Sequence, residues 1–189
     1  MNKCIIIMGS MRSGSSLVAR ALHEWGVYLT DTPGLYDDNN PEGEYENLDF
    51  TELNELLLKD WGGNWFNPVE VPSGREKECK DLVEKYRAPL WGWKDNRTAF
   101  TFKCYEKFLG KEDILFFVVN RQHESIAHSI YSSLRDQIPE SKQSFEDILD
   151  LVKKYYSQID KITKGYNRFD IHYEDFIKNP FYNSKLKHF

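Results

Sequence analysis

A chain of 189 residues with 40% hydrophobic, 29% charged and 15% aromatic residues suits one domain around a sizeable core. Its 12 Phe, 11 Tyr and 5 Trp argue against global disorder. Thirty acidic against 25 basic residues leave a net charge of −5, the opposite of the basic excess of a general nucleic-acid binder, so no nucleic-acid partner is expected.

Residues 3–8 (KCIIIM) form a short, apolar, β-branched run, the pattern of a strand buried on both faces. The same run is too short for a signal-peptide core, and no apolar stretch approaches the roughly 20 residues of a membrane span. The three cysteines, Cys4, Cys79 and Cys104, are odd in number and widely spaced, which fits neither a disulfide framework nor a metal knuckle. A soluble, cytoplasmic protein is expected.

After a Gly/Ser-rich turn at 9–16, Leu17, Val18, Ala21, Leu22 and Trp25 carry the apolar stripe of a helix that should stop at Gly26. Residues 30–45 are loop-like. A helix is predicted from Leu48 to Lys59, with Leu53, Leu56 and Leu57 on its apolar face. After an irregular aromatic stretch at 61–74 come a polar helix at 75–87, a weak strand at 90–94 interrupted by glycine, and a helix from Thr98 to Leu109. The strand at 114–119 is apolar throughout. Helices follow at 122–135 and 144–163, then a strand at 168–173 and a helical tail at 174–189 broken at Pro180. Strands alternating with helices predict an α/β fold, a three-layer α/β/α domain around a central parallel sheet, whose ligands bind at the carboxyl ends of the strands.

Two places carry anion-binding chemistry. The first strand runs straight into Gly9-Ser10-Met11-Arg12-Ser13-Gly14-Ser15-Ser16 and then a helix. The two glycines allow a tight turn, and the loop amides and helix N-terminus point positive partial charge at an anion. The spacing is that of a phosphate-binding P-loop, but Ser15 stands at the lysine position. That lysine reaches the β- and γ-phosphates in nucleoside-triphosphate enzymes, so moving the cation to Arg12 suggests a differently placed anionic group. The second place is the end of the strand at 114–119, where Asn120-Arg121 leads into a helix with Ser125, Ser129 and Ser133 on one stripe. An arginine fork and a serine hydroxyl converging there make a second phosphate site. Taken alone, the segment also reads as a solvated arginine and serine face.

Together these segments resemble the sulfotransferases that use 3′-phosphoadenosine 5′-phosphosulfate (PAPS). Met11-Arg12-Ser13-Gly14-Ser15-Ser16 is similar to their lysine-less phosphate loop, and Arg121 and Ser129 have the spacing of their strand-end arginine and its serine. Asn40 to Asn47 looks like the N-P-x-G-aromatic-x-E segment of bacterial members, with Glu44 inserted. Trp93-Lys94-Asp95-Asn96-Arg97 resembles W-K-D-P-R with Asn96 in place of proline, and Tyr173-Glu174-Asp175-Phe176 with Asn179-Pro180 looks like the closing Y-E-D-L…N-P. The arginine-lysine-glycine segment of cytosolic members has no counterpart.

The resemblance implies a P-loop-like sulfotransferase core that moves a sulfuryl group from PAPS to a hydroxyl or amine, releasing adenosine 3′,5′-bisphosphate, with no metal. It assigns Arg12, Ser13, Gly14, Ser15 and Ser16 to the 5′-phosphosulfate end, Arg121 and Ser129 to the 3′-phosphate, and Lys94 to the transferred sulfuryl oxygens. An acceptor hydroxyl needs a base, for which Glu46, at the head of a helix, and Asp95 are the candidates; Asp95 alternatively orients Lys94 or Arg97. Asp31, Asp37, Asp38, Glu42 and Glu44 in the 30–45 loop disfavour a polyanionic acceptor, leaving a small molecule, sugar or lipid head group. Two other readings stay open: a P-loop kinase for a nucleoside or small metabolite, for which only Asp95 could hold magnesium, and a non-catalytic nucleotide-binding module.

Overall fold

The computed structural model describes residues 2–31, 43–137 and 142–178. Four strands, β1 (Lys3–Met8), β2 (Leu90–Lys94), β3 (Ile114–Asn120) and β4 (Asn167–His172), form one sheet in the order β2-β1-β3-β4. All three pairings are parallel, with Ile6 opposite Trp93 and Phe116, and Val118 opposite Asp170. Among the described residues, seven α-helices flank it: α1 (Ser15–Glu24), α2 (Leu48–Asp60), α3 (Glu76–Tyr86), α4 (Thr98–Glu106), α5 (His123–Gln137), α6 (Phe145–Thr163) and α7 (Tyr173–Lys178).

The two-residue period of a strand divides the core. Ile5, Ile7, Phe117, Val119 and Ile171 pack on one face against Val18, Ala19 and Leu22 of α1 and Phe176 of α7. Cys4, Ile6, Met8, Trp91, Trp93, Phe116 and Val118 pack on the other face against α2 to α6. Both faces are covered, which is why these strands read as continuous apolar runs rather than alternating ones. The architecture is α/β, with helices on both sides of a parallel sheet.

Most predicted elements lie where the periodicity put them. On α2, however, the buried positions are Phe50, Leu53, Asn54, Leu57 and Leu58, while Leu56 is exposed. The helix is therefore rotated from the expected Leu53–Leu56–Leu57 face, with an asparagine inside its apolar stripe. The glycine of β2 does not interrupt the strand. A β-carbon on Gly92 would sit 1.7 Å from the Ile5 carbonyl oxygen, so the close approach of β1 requires a residue without a side chain. The helix expected to run to Leu109 ends at Glu106. The three cysteines are free and buried, and burial pushes the Cys79 and Cys104 thiols up to about 12 and about 11. Among the described residues, no helix is long and apolar enough to cross a membrane. Most of the acidic 30–45 loop, including Asp37, Asp38, Asn40, Pro41 and Glu42, and the Asn179-Pro180 pair lie outside the described residues.

Candidate functional site

Because the strands are parallel, Met8, Lys94, Asn120 and His172 all end on one edge of the sheet. The chain leaves β1 towards β2 and leaves β3 towards β4, so the adjacent ends of β1 and β3 open a crevice where the strand order reverses. That is where open parallel sheets hold ligands. Every strand delivers a polar side chain or loop to this edge.

The loop after β1 is held from several sides. Ser13 N–H donates to the Ser10 carbonyl at 3.1 Å, and Leu17 N–H to the Gly14 carbonyl at 3.1 Å as α1 begins. Gly14 has φ 91°, and a β-carbon there would lie 2.2 Å from the Tyr173 ring. Arg12 also has a left-handed backbone, φ 62°. Its carbonyl accepts from Arg121 Nη1 at 2.9 Å, and its Nε donates to Ser129 Oγ at 3.0 Å. Arg12, Arg121 and Ser129 are thus brought together, with Arg12 bridging the other two. The Arg121 guanidinium lies 4.7 Å from the centre of the Tyr173 ring. Behind them, the Tyr156 hydroxyl donates to the Val119 carbonyl at 2.8 Å. Burial pushes that phenol up to about 12, while nearby N–H groups of Ser10 and Arg121 pull the other way, so Tyr156 ties both loops to the core.

Among the described residues, three buried side-chain polar atoms have no hydrogen-bond partner, and two of them, Ser13 Oγ and Arg121 Nε, belong to this crevice. Buried polar atoms without partners are uncommon and call for an explanation. Both are donors, Ser13 just before the N-terminus of α1, which has no acidic residue in its first turn, and Arg121 on the Arg12 carbonyl of the same loop, and this fits an anionic ligand.

The end of β2 builds a second cluster. Lys94 Nζ donates to Glu46 Oε1 at 2.6 Å and to Ser16 Oγ at 3.2 Å, which joins this cluster to the start of α1. Arg97 Nη2 lies 3.5 Å from Glu46 Oε2, and Thr51 Oγ1 donates to the same oxygen at 3.3 Å. Burial alone would raise the Glu46 carboxyl, but Lys94 and Arg97 outweigh it and hold it below the usual carboxylate range. Glu46 does not take the helix-head role expected for it. The N-cap of α2 is Asn47, whose Oδ1 accepts from Asp49 N–H at 3.1 Å, and two cations position Glu46 instead of helix amides.

Asp95 is fully buried. Its carboxylate accepts from Arg97 N at 2.9 Å, Arg97 Nε at 3.0 Å and Asn54 Nδ2 at 2.9 Å. Burial pushes it up to about 6 against the pull of Arg97, and the Glu46 charge adds to the rise. Fully buried and already engaged by Arg97 and Asn54, the carboxylate is closed off from the sheet edge, so of its two expected roles the orientation of Arg97 fits and that of base does not.

Asn54, Tyr156 and Tyr173 were not recognised from sequence as members of the site. Tyr173 lies in a motif quoted for the resemblance, and Asn54 was signalled by a polar residue at a core position of α2. Tyr156 left no signal, since a tyrosine on the apolar stripe of a helix reads as packing. Of the histidines, His123 stacks on Tyr156 at 4.7 Å, and His172 is exposed at the end of β4.

A groove of about 370 Å³ lined by Ile5, Leu90, Leu115 and Phe169 opens at the opposite edge of the sheet. The cations on its rim are engaged elsewhere, Lys3 on the Glu112 carbonyl and Arg168 on Asp160 and Asp170.

No family model matches the chain, and no curated protein matches it. Among solved structures, TT1252 from Thermus thermophilus aligns over 90% of this chain and 90% of its own, at 17% identity and a TM-score of 0.42.

Proposed function

We propose that the chain is a sulfotransferase that moves a sulfuryl group from PAPS to a hydroxyl or amine of a small-molecule, sugar or lipid acceptor. The observation that carries the reading is the convergence of Arg12, Arg121 and Ser129 on a lysine-less loop whose Ser13 Oγ and Arg121 Nε are buried donors without partners.

When bound, the nucleotide supplies an activated sulfuryl group on a bisphosphate that leaves with added negative charge. The residues of this chain answer that charge. Arg12 and the N–H groups of Gly14 to Ser16 offer donors to the 5′-phosphate end, which stabilises charge developing on the leaving group. Arg121 and Ser129 take the 3′-phosphate. Lys94, next to Ser16, faces the group being transferred.

Glu46 is the base in this scheme. Paired with Lys94 and Arg97 it is a weak one, because both cations favour its ionised form. When Lys94 turns to an anionic ligand, Glu46 loses one of its two cations and becomes more basic as the acceptor hydroxyl must be deprotonated. Asp95 serves by aiming Arg97.

The test is a thermal-shift titration with adenosine 3′,5′-bisphosphate, ATP with magnesium, and AMP. Stabilisation by the bisphosphate that is lost in Arg121→Ala supports the reading, and a preference for ATP with magnesium sinks it. Bisphosphate binding without transfer of radiolabelled sulfuryl across a broad acceptor panel would instead favour a non-catalytic nucleotide-binding module.

A further inference from the structure

Asn54 is fully buried among Phe50, Leu53, Leu57 and Leu58 of α2. A buried amide is costly unless its hydrogen bonds are made, and here both ends are used. Nδ2 donates to Asp95 Oδ2 at 2.9 Å and to Thr98 Oγ1 at 3.2 Å. Oδ1 accepts from Thr101 Oγ1 at 2.6 Å and from the Tyr105 hydroxyl at 2.9 Å. Two donor hydrogens and two lone pairs are thereby accounted for. An ionised Asp95 only accepts, which fixes the direction of the amide.

From Asp95 the chain of contacts continues outwards. Arg97 holds Asp95 through its backbone N–H and Nε, and its remaining nitrogens reach Glu46 Oε2 at 3.5 Å and Glu55 Oε1 at 2.9 Å. The charged and titratable groups facing the Asp95–Arg97 pair are Glu46, Glu55 of α2, Lys94 of β2, Tyr105 of α4 and Tyr155 of α6. Asn54 is the neutral donor that Asp95 receives from outside its own turn.

We propose that Asn54 is a positioning residue that acts through Asp95 and Arg97 on Glu46, keeping Asp95 ionised so that the charge of Arg97 is divided between the two carboxylates. That Glu46 is the base rests on the sulfotransferase reading; the coupling of the carboxylates does not. Without the Nδ2 donor the ionised form of Asp95 loses support and its titration midpoint rises. At a pH where Asp95 is protonated in the variant but ionised in the wild type, Arg97 is less compensated and pairs more strongly with Glu46, whose own midpoint lies lower, where Asp95 carries its proton in both proteins.

The experiment is carboxyl carbon-13 NMR titration of the ligand-free protein and its Asn54→Leu variant. The expected result is a rise of about one unit at Asp95, roughly tenfold in its proton equilibrium, with the same rise in the secondary inflection that the Glu46 carboxyl resonance shows as Asp95 titrates. A variant that is merely less stable, with the Asp95 midpoint and the Glu46 inflection both unmoved, overturns the proposal. Should Asn54→Leu fail to fold, the wild-type protein decides: the side-chain amide resonances of Asn54 shift with the Asp95 midpoint, and resonances that stay flat through it overturn the coupling. Failure of adenosine 3′,5′-bisphosphate to bind removes the sulfotransferase reading and leaves the carboxyl coupling standing, whereas bisphosphate binding with the Asp95 midpoint and the Glu46 inflection unmoved removes this proposal alone.

Discussion

The ammonium of Lys94 lies 2.6 Å from Glu46 Oε1, with both side chains nearly buried, so the cation aimed at the phosphate loop is held by the carboxylate proposed as base. Removing one partner of such a pair leaves an uncompensated buried charge, at a cost of roughly 3–5 kcal/mol. Glu46→Gln should therefore lower the denaturation midpoint, and Glu46→Gln/Lys94→Met should recover part of the loss. On the sulfotransferase reading, Glu46→Gln slows sulfuryl transfer about 10²- to 10⁴-fold, the usual worth of a general base. Calorimetric affinity for adenosine 3′,5′-bisphosphate should not weaken, since a negative charge beside Lys94 is gone. A Gln variant with undiminished turnover would remove Glu46 from the mechanism.

Arg121 does two things that a lysine cannot do together. Its Nη1 holds the Arg12 carbonyl, and its planar guanidinium lies over Tyr173. A hydrogen bond to a charged group is worth about 1.5–3 kcal/mol, so on the sulfotransferase reading Arg121→Ala should weaken bisphosphate binding roughly 10- to 150-fold by calorimetry. Arg121→Lys should recover little of it. Near wild-type affinity in the lysine variant would mean that charge alone is recognised at this position.

Gly14 and Tyr173 make a sharper geometric test. Gly14 needs both a left-handed backbone and an empty β-position, since the Tyr173 ring lies 2.2 Å from where a β-carbon would stand. The backbone strain in Gly14→Ala is about 1–2 kcal/mol, and the clash adds to it. Tyr173→Leu alone removes the ring from under Arg121. In the double variant the clash is relieved but the strain stays, so Gly14→Ala/Tyr173→Leu should be destabilised by less than the sum of the single variants in urea denaturation. Strict additivity would show that the ring yields without cost.

The elements that sequence revealed well are those whose signal is local. Ile5 to Ile7 and Phe116 to Val119 announce buried parallel strands because both their faces are covered, and Gly9 to Ser16 announces an anion loop because its chemistry is contiguous. What escaped depends on long-range juxtaposition. The Lys94–Glu46 bond spans 48 positions and the Arg12–Ser129 bond 117, and no periodicity encodes either. The rotation of α2 escaped for a related reason. The leucine pattern puts Leu56 inside, but Asp95 and Thr98 supply Asn54 with partners that only the folded chain brings near. The same contact moved Asp95 from candidate base to buried support, although the W-K-D-N-R segment itself was legible.

Asp95 gives the pH prediction. Its folded carboxyl keeps its proton up to about 6, against 3.8 for the ordinary value, so between these pH values the folded state binds more protons than the unfolded one. Stability from this group therefore falls as pH rises through that window and is level above it, a change of order 2–3 kcal/mol. Glu46 acts in the opposite sense and at lower pH. With its folded carboxyl below 4.5, its contribution is present above that value and is lost as pH falls through the folded midpoint. Asp95→Asn mimics the protonated form and cannot titrate. The stability of wild type relative to Asp95→Asn, from urea denaturation at steps between pH 4 and pH 7, should decline as pH rises and then level off above about pH 6. A difference that grows with pH would mean that Arg97 holds Asp95 more tightly than its burial opposes ionisation, and that its carboxyl lies below the ordinary value in the folded protein.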